Sequence, residues 1–284
     1  MDSSLPRKVV GMPNADYHAQ NDFDSRSFIW SVYRYGGAAQ KFMDDGHSLF
    51  SGNSATSLGS DFDDLVMGLC QGRYVDEMLA VAPDSVLGKD GRRAGNAYKE
   101  WQEQVAAAGQ IPCNEEYRFK LATMAENLLA CPAASKCVEE TTETQVSVFF
   151  ETNGHPVRVR PDGCTPTYWW DLKTTSANWD VLYRSIFDYG YAMQEALYVR
   201  GAMAVGLDWH RMPFVFVHSV PPFDCHTFWL PLDVVEEAGK QLDRTLELIR
   251  LRRLTGEYMP ADHGEITELS IPQWARKQEE EVVL

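Results

Sequence analysis

The chain has 284 residues, 44% hydrophobic and 24% charged, which suits one large globular domain with a substantial core. A formal net charge of −15 argues against a surface coated in positive potential for nucleic acid, although it leaves room for a local basic groove, and metal-holding enzymes spend carboxylates that count toward this total. No apolar run approaches the roughly 20 residues that span a bilayer, and the start MDSSLPRKVV lacks the apolar stretch of a signal peptide, so a cytoplasmic protein is expected.

Residues 1–22 read as an extended arm. Asp24 and Ser25 are good N-caps for a helix running to about Met43. A second helix covers "SATSLGSDFDDLVMGLC", with Leu58, Phe62, Leu65 and Leu69 on one stripe. The loop "GKDGRRAG" is basic and glycine-rich, and two further helices fit 95–108 and 114–130. The period then changes to two: Val146, Val148 and Phe150 alternate, as do Val157 and Val159, and 168–173 is aromatic. These predict three antiparallel strands, the first two joined at Asn153-Gly154. A helix fits 186–206, "FVFVHSV" and "HTFWLPL" read as strands, and 233–254 as a closing helix. The expected organisation is an arm (1–22), a single domain (23–275) with a helical part (23–140) and a core (141–275), and a charged tail (276–284). The six cysteines form no CxxC pair, so free thiols are expected and a zinc site is not.

The informative stretch is "VRVRPDGCTPTYWWDLKTT", residues 157–175. On a strand, residues i and i+2 share a face, so Asp171 and Lys173 point together and Leu172 points away. A neighbouring strand ending in Asp162 brings a second carboxylate alongside. Burying such charges costs several kcal/mol each without compensation. A divalent metal compensates: Mg²⁺ takes hard oxygen ligands, polarises a phosphoryl oxygen and lowers the pKa of a bound water. Lys173 then orients the attacking water and neutralises developing charge. In "DYGYAMQEALYVRGAMAV", Gln194 and Tyr198 stand at i and i+4 on one helix face, aimed at the same place. Of Trp169 and Trp170, alternation buries one, as core packing rather than as a base platform.

"RPD", "DLKTT" and "GYAMQEALY" together resemble the PD-(D/E)xK nucleases of the RecB-like branch. The chain looks most like phage exonucleases related to exonuclease VIII (RecE-like), and more distantly like lambda exonuclease. "MPNADYHA", "DSRSFIWSVYR", "SLGSDFDDLVMG" and "LSIPQWA" extend the resemblance over roughly residues 10–275. It implies an α/β (α+β) restriction-endonuclease-like core of order α-β-β-β-α-β, with a mixed central sheet flanked by helices. It also implies a Mg²⁺-dependent exonuclease, with Mn²⁺ as substitute, that digests duplex DNA ends 5′-to-3′. The 3′ single-stranded tail left behind would serve an annealing or recombination protein. A ring-shaped homo-oligomer in the cytoplasm of a bacterial host, and phage origin, follow from the same resemblance.

By position, Asp162, Asp171 and Lys173 match the acidic pair and lysine, the backbone carbonyl of Leu172 an added ligand, and Gln194 and Tyr198 the motif helix. Where the family has a metal-binding histidine, this chain has Asp63, on a helix line with Gly59, Val66 and Cys70; Asp61 and Asp64 read as solvated. Where a glutamate often opens the first core strand, this chain has Gln145, with Glu143 two residues earlier. The resemblance places Ser25, Arg26 and Ser27 near the DNA end, at a helix N-terminus suited to phosphate as well as to simple capping. Arg160 and the basic loop Lys89, Arg92 and Arg93 are further candidate DNA contacts. Two alternatives stand beside this reading: a CRISPR-adaptation-like nuclease, whose iron–sulfur cluster needs three late cysteines where this chain has only Cys225, and a catalytically inactive DNA-end-binding subunit.

Overall fold

The computed structural model describes residues 5–49, 54–88, 94–260, 264–266, 268 and 270; Lys89, Arg92, Arg93 and the tail 276–284 lie outside them. The first segment is not an extended arm. It forms strand β1 (Arg7–Val9) and helix α1 (Asn14–His18), because β1 adds to a sheet edge that supplies its backbone partners. After β2 (Asp24–Ser25), helix α2 (Arg26–Asp44) starts where the cap residues predict, the Ser25 Oγ accepting the Phe28 N–H at 3.2 Å. Helix α3 (Ser54–Cys70) buries Leu58, Phe62 and Leu65 on the expected stripe. There follow α4 (Val75–Met78), β3 (Leu79–Val81), α5 (Asn96–Ala107), β4 (Ile111–Cys113), α6 (Glu115–Ala130) and α7 (Pro132–Glu140). Helix α7 escapes a periodicity reading because it is short, although its proline sits at the first turn, where a missing N–H does no harm.

The second half consists of β5 (Glu143–Thr144), β6 (Ser147–Thr152), β7 (His155–Val159), β8 (Gly163–Cys164), β9 (Trp169–Thr175), α8 (Leu182–Asp188), α9 (Tyr191–Ala204), β10 (Phe214–His218), β11 (Cys225–Phe228) and α10 (Leu232–Thr255). The β6–β7 hairpin turns at Asn153 and Gly154, both at positive φ as a type I′ turn needs. The expected single three-stranded sheet is wrong, however. Strand β9 pairs with β8 and β10, not with β7, and the described residues form two larger sheets, of order β1-β6-β7-β2 and β11-β10-β9-β8-β5, besides a β3–β4 pair. One long hairpin passes from the first of these sheets into the second. Its β6–β7 and β5–β8 portions keep the same register, with Val148 opposite Val159 and Thr144 opposite Gly163, and it bends at Gln145, whose φ is +48°.

Helices cover both faces of the five-stranded sheet. Trp169, Phe214 and Phe216 enter one apolar cluster with α2, α9 and α10, and Trp170, Leu172, Val215 and Val217 enter another with α3, α6 and α7. Both tryptophans are therefore buried, correcting the expectation of one: at its start β9 is a central strand covered on both faces by helices. None of the six cysteines is in a disulfide. Among the described residues no helix is long and apolar enough to cross a membrane. The architecture is mixed α/β.

Gly163 is required by close approach. A Cβ there would lie 2.1 Å from the Nε1 of the buried Trp170, an atom that donates to the Thr141 Oγ1 at 2.8 Å. Gly163→Ala must push β8 off Trp170 and is expected to destabilise by about 1–3 kcal/mol, as overpacked cores do. A thermal melt superimposable on that of the wild type would contradict this contact.

Candidate active site

The strand registers build the site. Asp162 follows β7 and precedes β8. Continuing the β8–β9 register, in which Gly163 faces Trp170, sets Asp162 opposite Asp171. Continuing the β5–β8 register sets it opposite Gln145, and the Gln145 N–H indeed donates to the Asp162 carbonyl at 2.9 Å. The bend between sheets thus delivers Asp162 to the middle of β9. The Leu172 N–H donates to Asp162 Oδ2 at 2.7 Å. Asp171, 2% exposed, accepts Gln194 Nε2 on Oδ1 at 2.7 Å, while its Oδ2 accepts from the Lys173 ammonium. From α3, Asp63 Oδ2 accepts Gln145 Nε2 at 3.1 Å, and its Oδ1 is buried with no partner among the described residues.

Burial first, and like charges next, set the electrostatics of this geometry. Burial, and next the charge of Asp171, push the Asp63 carboxyl up to about 7. Burial, Asp171 and Asp63 push Asp162 well above the carboxylate range. Burial also works against the Lys173 ammonium, yet Asp171 and Asp162 hold it above the usual lysine value. Three carboxylates with one ammonium, one of the carboxylates keeping a buried oxygen without a partner among the described residues, form a donor set suited to a hard divalent cation. Among the described residues no three His, Cys, Asp or Glu side chains close on one point; Asp171 is turned to Lys173 and Gln194, and Asp162 to the Leu172 N–H.

These groups line a cleft of about 780 Å³ that also takes in Asn14, Tyr17, His18, Ser25, Arg26, Ser27, Arg160 and Tyr198. Each sequence-predicted residue among the described ones has a definite place. Gln194 is buried against Asp171. The Tyr198 hydroxyl donates to the Arg160 carbonyl at 3.3 Å and so holds the turn that carries Asp162. Ser25 both caps α2 and lines the cleft, Ser27 is exposed within it, and Arg26 donates to the Tyr189 carbonyl from its edge. Arg160 lines the cleft but spends its guanidinium on the Met12 carbonyl, Asn14 Oδ1 and the Gln145 carbonyl. Leu172 is buried between Asp171 and Lys173. Asp64 is exposed as expected, but Asp61 is half-buried and accepts from the Tyr117 hydroxyl at 2.7 Å. Glu143 is ion-paired with Lys8 and does not line the cleft.

Sequence reasoning missed the support behind the α2 end. Asp24 is buried, with His155 Nε2 at 2.6 Å and both Arg253 Nη atoms at 2.7 and 2.9 Å. This network anchors the residue just before Ser25–Ser27. The pairing spans three distant segments, and only the presence of a charge directly before the N-cap hinted at it.

No protein-family model matches the chain, and no curated protein matches it. Among solved structures it is similar to a protein from Eubacterium rectale provisionally described as an exonuclease. Identity is 14% and the TM-score 0.58, over 95% of this chain and 100% of that one, which shows a common fold. An alkaline exonuclease from Laribacter hongkongensis also matches, at 14% identity over 70% of this chain and 97% of that one, but its TM-score of 0.23 is too low to carry structural weight.

Proposed function

We propose that this protein is a divalent-metal-dependent DNA exonuclease. The carrying observation is the convergence of Asp63, Asp162, Asp171 and Lys173 at one cleft, from α3, the sheet-switching bend and the central strand. The fold shared with the Eubacterium rectale protein supports the reading. Asp63, Asp162, Asp171 and the Leu172 carbonyl would hold Mg²⁺, or Mn²⁺ in its place. Such an ion supplies Lewis acidity toward a phosphoryl oxygen and a more acidic water.

The remaining roles belong to the chain. Gln194 fixes Asp171 through Oδ1, and Tyr198 fixes the Arg160–Asp162 turn through the Arg160 carbonyl. Lys173 Nζ orients the attacking water and balances the charge that grows on the phosphate. Ser25, Arg26 and Ser27, on the cleft wall, receive the DNA end, where the α2 N-terminus favours an anion. Arg160 adds positive charge to that wall while clamping α1 to the bend. Lys89, Arg92 and Arg93 are proposed as backbone contacts on the flanking duplex. Degradation runs 5′-to-3′ and leaves a 3′ single strand for an annealing or recombination protein, the enzyme working as a ring-shaped homo-oligomer.

Linear duplexes carrying 5′-phosphate, 5′-hydroxyl or covalently closed ends distinguish these features. Nucleotide release from the open ends with Mg²⁺, and none from closed ends, is expected. Equal release from closed and open ends would rule out an exonuclease.

A further inference from the structure

Tyr191 has no role in the chemistry above, yet its ring lies against the Lys173 ammonium. It is the first residue of α9 and 9% exposed. Lys173 Nζ lies over its ring, 5.3 Å from the centroid, and the Arg26 guanidinium lies 6.0 Å from the same centroid. The ring packs on Phe214 and Phe216 at 5.7 and 5.8 Å between centroids, and these are the β10 residues paired with Asp171 and Lys173. The preceding Gly190 is left-handed, at φ +65°, and a Cβ there would lie 2.3 Å from the Trp30 ring. The break that separates α8 from α9 therefore fixes where Tyr191 begins, and β10 fixes its ring.

The geometry points to Tyr191 as a positioning residue for Lys173, an inference that rests on the catalytic role proposed for that lysine. A lysine stem has four rotatable bonds, and an ion pair with Asp171 alone restrains the ammonium loosely. A further carboxylate would restrain it better but would add to the repulsion among Asp63, Asp162 and Asp171. An aromatic face attracts the cation through its quadrupole and adds no net charge. Tyr191 thus holds the ammonium at the cleft floor without disturbing the charge balance of the acidic cluster.

The test compares Tyr191→Phe, Tyr191→Leu and, as a control for lost core volume, Phe150→Leu, which alters the same apolar cluster away from Lys173. Tyr191→Phe keeps the ring and is expected to keep kcat. Tyr191→Leu is expected to lower kcat by on the order of 10- to 100-fold, as small misplacements of reacting groups do, with KM for DNA nearly unchanged. Phe150→Leu is expected to keep kcat even where its melting temperature falls as far. Wild-type kcat in Tyr191→Leu, or an equal loss in Phe150→Leu, would overturn the inference. A second readout needs no cleavage. In protein carrying ¹³C-lysine, the Lys173 ε-methylene signal, assigned by its loss in Lys173→Arg, is expected upfield in wild type and Tyr191→Phe and unshifted in Tyr191→Leu. An unshifted wild-type signal refutes the contact, even should Tyr191→Leu fail to fold. A shifted signal together with full cleavage by Lys173→Ala would instead refute the catalytic role of Lys173, and positioning with it.

Discussion

Lys173→Ala should abolish cleavage of linear duplex DNA, by on the order of 100-fold or more, the usual scale for removing a preorganised group that stabilises transition-state charge. The lysine supplies no oxygen ligand, so the rise in melting temperature on adding Mg²⁺ should be nearly intact. In chelator the variant should melt below wild type, because the ammonium is a counter-charge to Asp171 and Asp162, and removing one member of a buried pair leaves the others uncompensated. Asp171→Ala should abolish cleavage equally but should also weaken the Mg²⁺-dependent rise. The two variants therefore separate by melting although they agree in activity. Near wild-type turnover in either would remove the catalytic assignment.

The second large effect belongs to Asp63. Its carboxyl is held up at about 7, against 3.8 for the free side chain. Between those values the native state keeps a proton that the unfolded chain has released. This contribution to stability is complete below about pH 3.8 and is lost as pH rises through about 7. In chelator, the wild-type melting temperature should consequently fall between mildly acidic and mildly alkaline pH, and Asp63→Asn should flatten the decline. Mg²⁺ should reverse it: a cation at 100 times its Kd that binds only the native state adds about 2.7 kcal/mol, roughly 5–10 °C for a domain of this size. Asp63→Ala should shrink that rise and lower activity, and Asp63→His should keep part of the activity and shift preference toward Mn²⁺, since imidazole suits softer ions. Asp64→Ala should change cleavage little, although Asp64 lines the same cleft and its charge adds a smaller push to the Asp63 carboxyl. Asp61 is a poorer control than its sequence position suggests, because it holds the Tyr117 hydroxyl. A melting profile in Asp63→Asn as steep as in wild type would refute the shifted carboxyl.

Periodicity made the centre of the site legible. A strand period of two put Asp171 and Lys173 on one face, and a helix period of 3.6 put Gln194 and Tyr198 on another, aimed inward. The route by which Asp162 arrives was not legible. It depends on a bend at Gln145, where a non-glycine residue adopts positive φ, and nothing local announces that conformation. The same bend turns Gln145, read as a lost acidic ligand, into the hydrogen-bond partner of Asp63. Tyr191 was invisible because its contact with Lys173 joins a strand to a helix packed on that strand's face, whereas its neighbours Gln194 and Tyr198 carried the visible spacing. The α8–α9 break was within reach: "DYGYA" places a glycine where a left-handed residue ends one helix and starts the next.

Incubating wild type and Asp171→Ala side by side with an end-labelled linear duplex, in Mg²⁺ and in excess chelator, tests the central claim most directly. The account predicts progressive release of nucleotides by wild type in Mg²⁺ alone. Release in chelator, or release by Asp171→Ala at a rate near that of wild type, would contradict it.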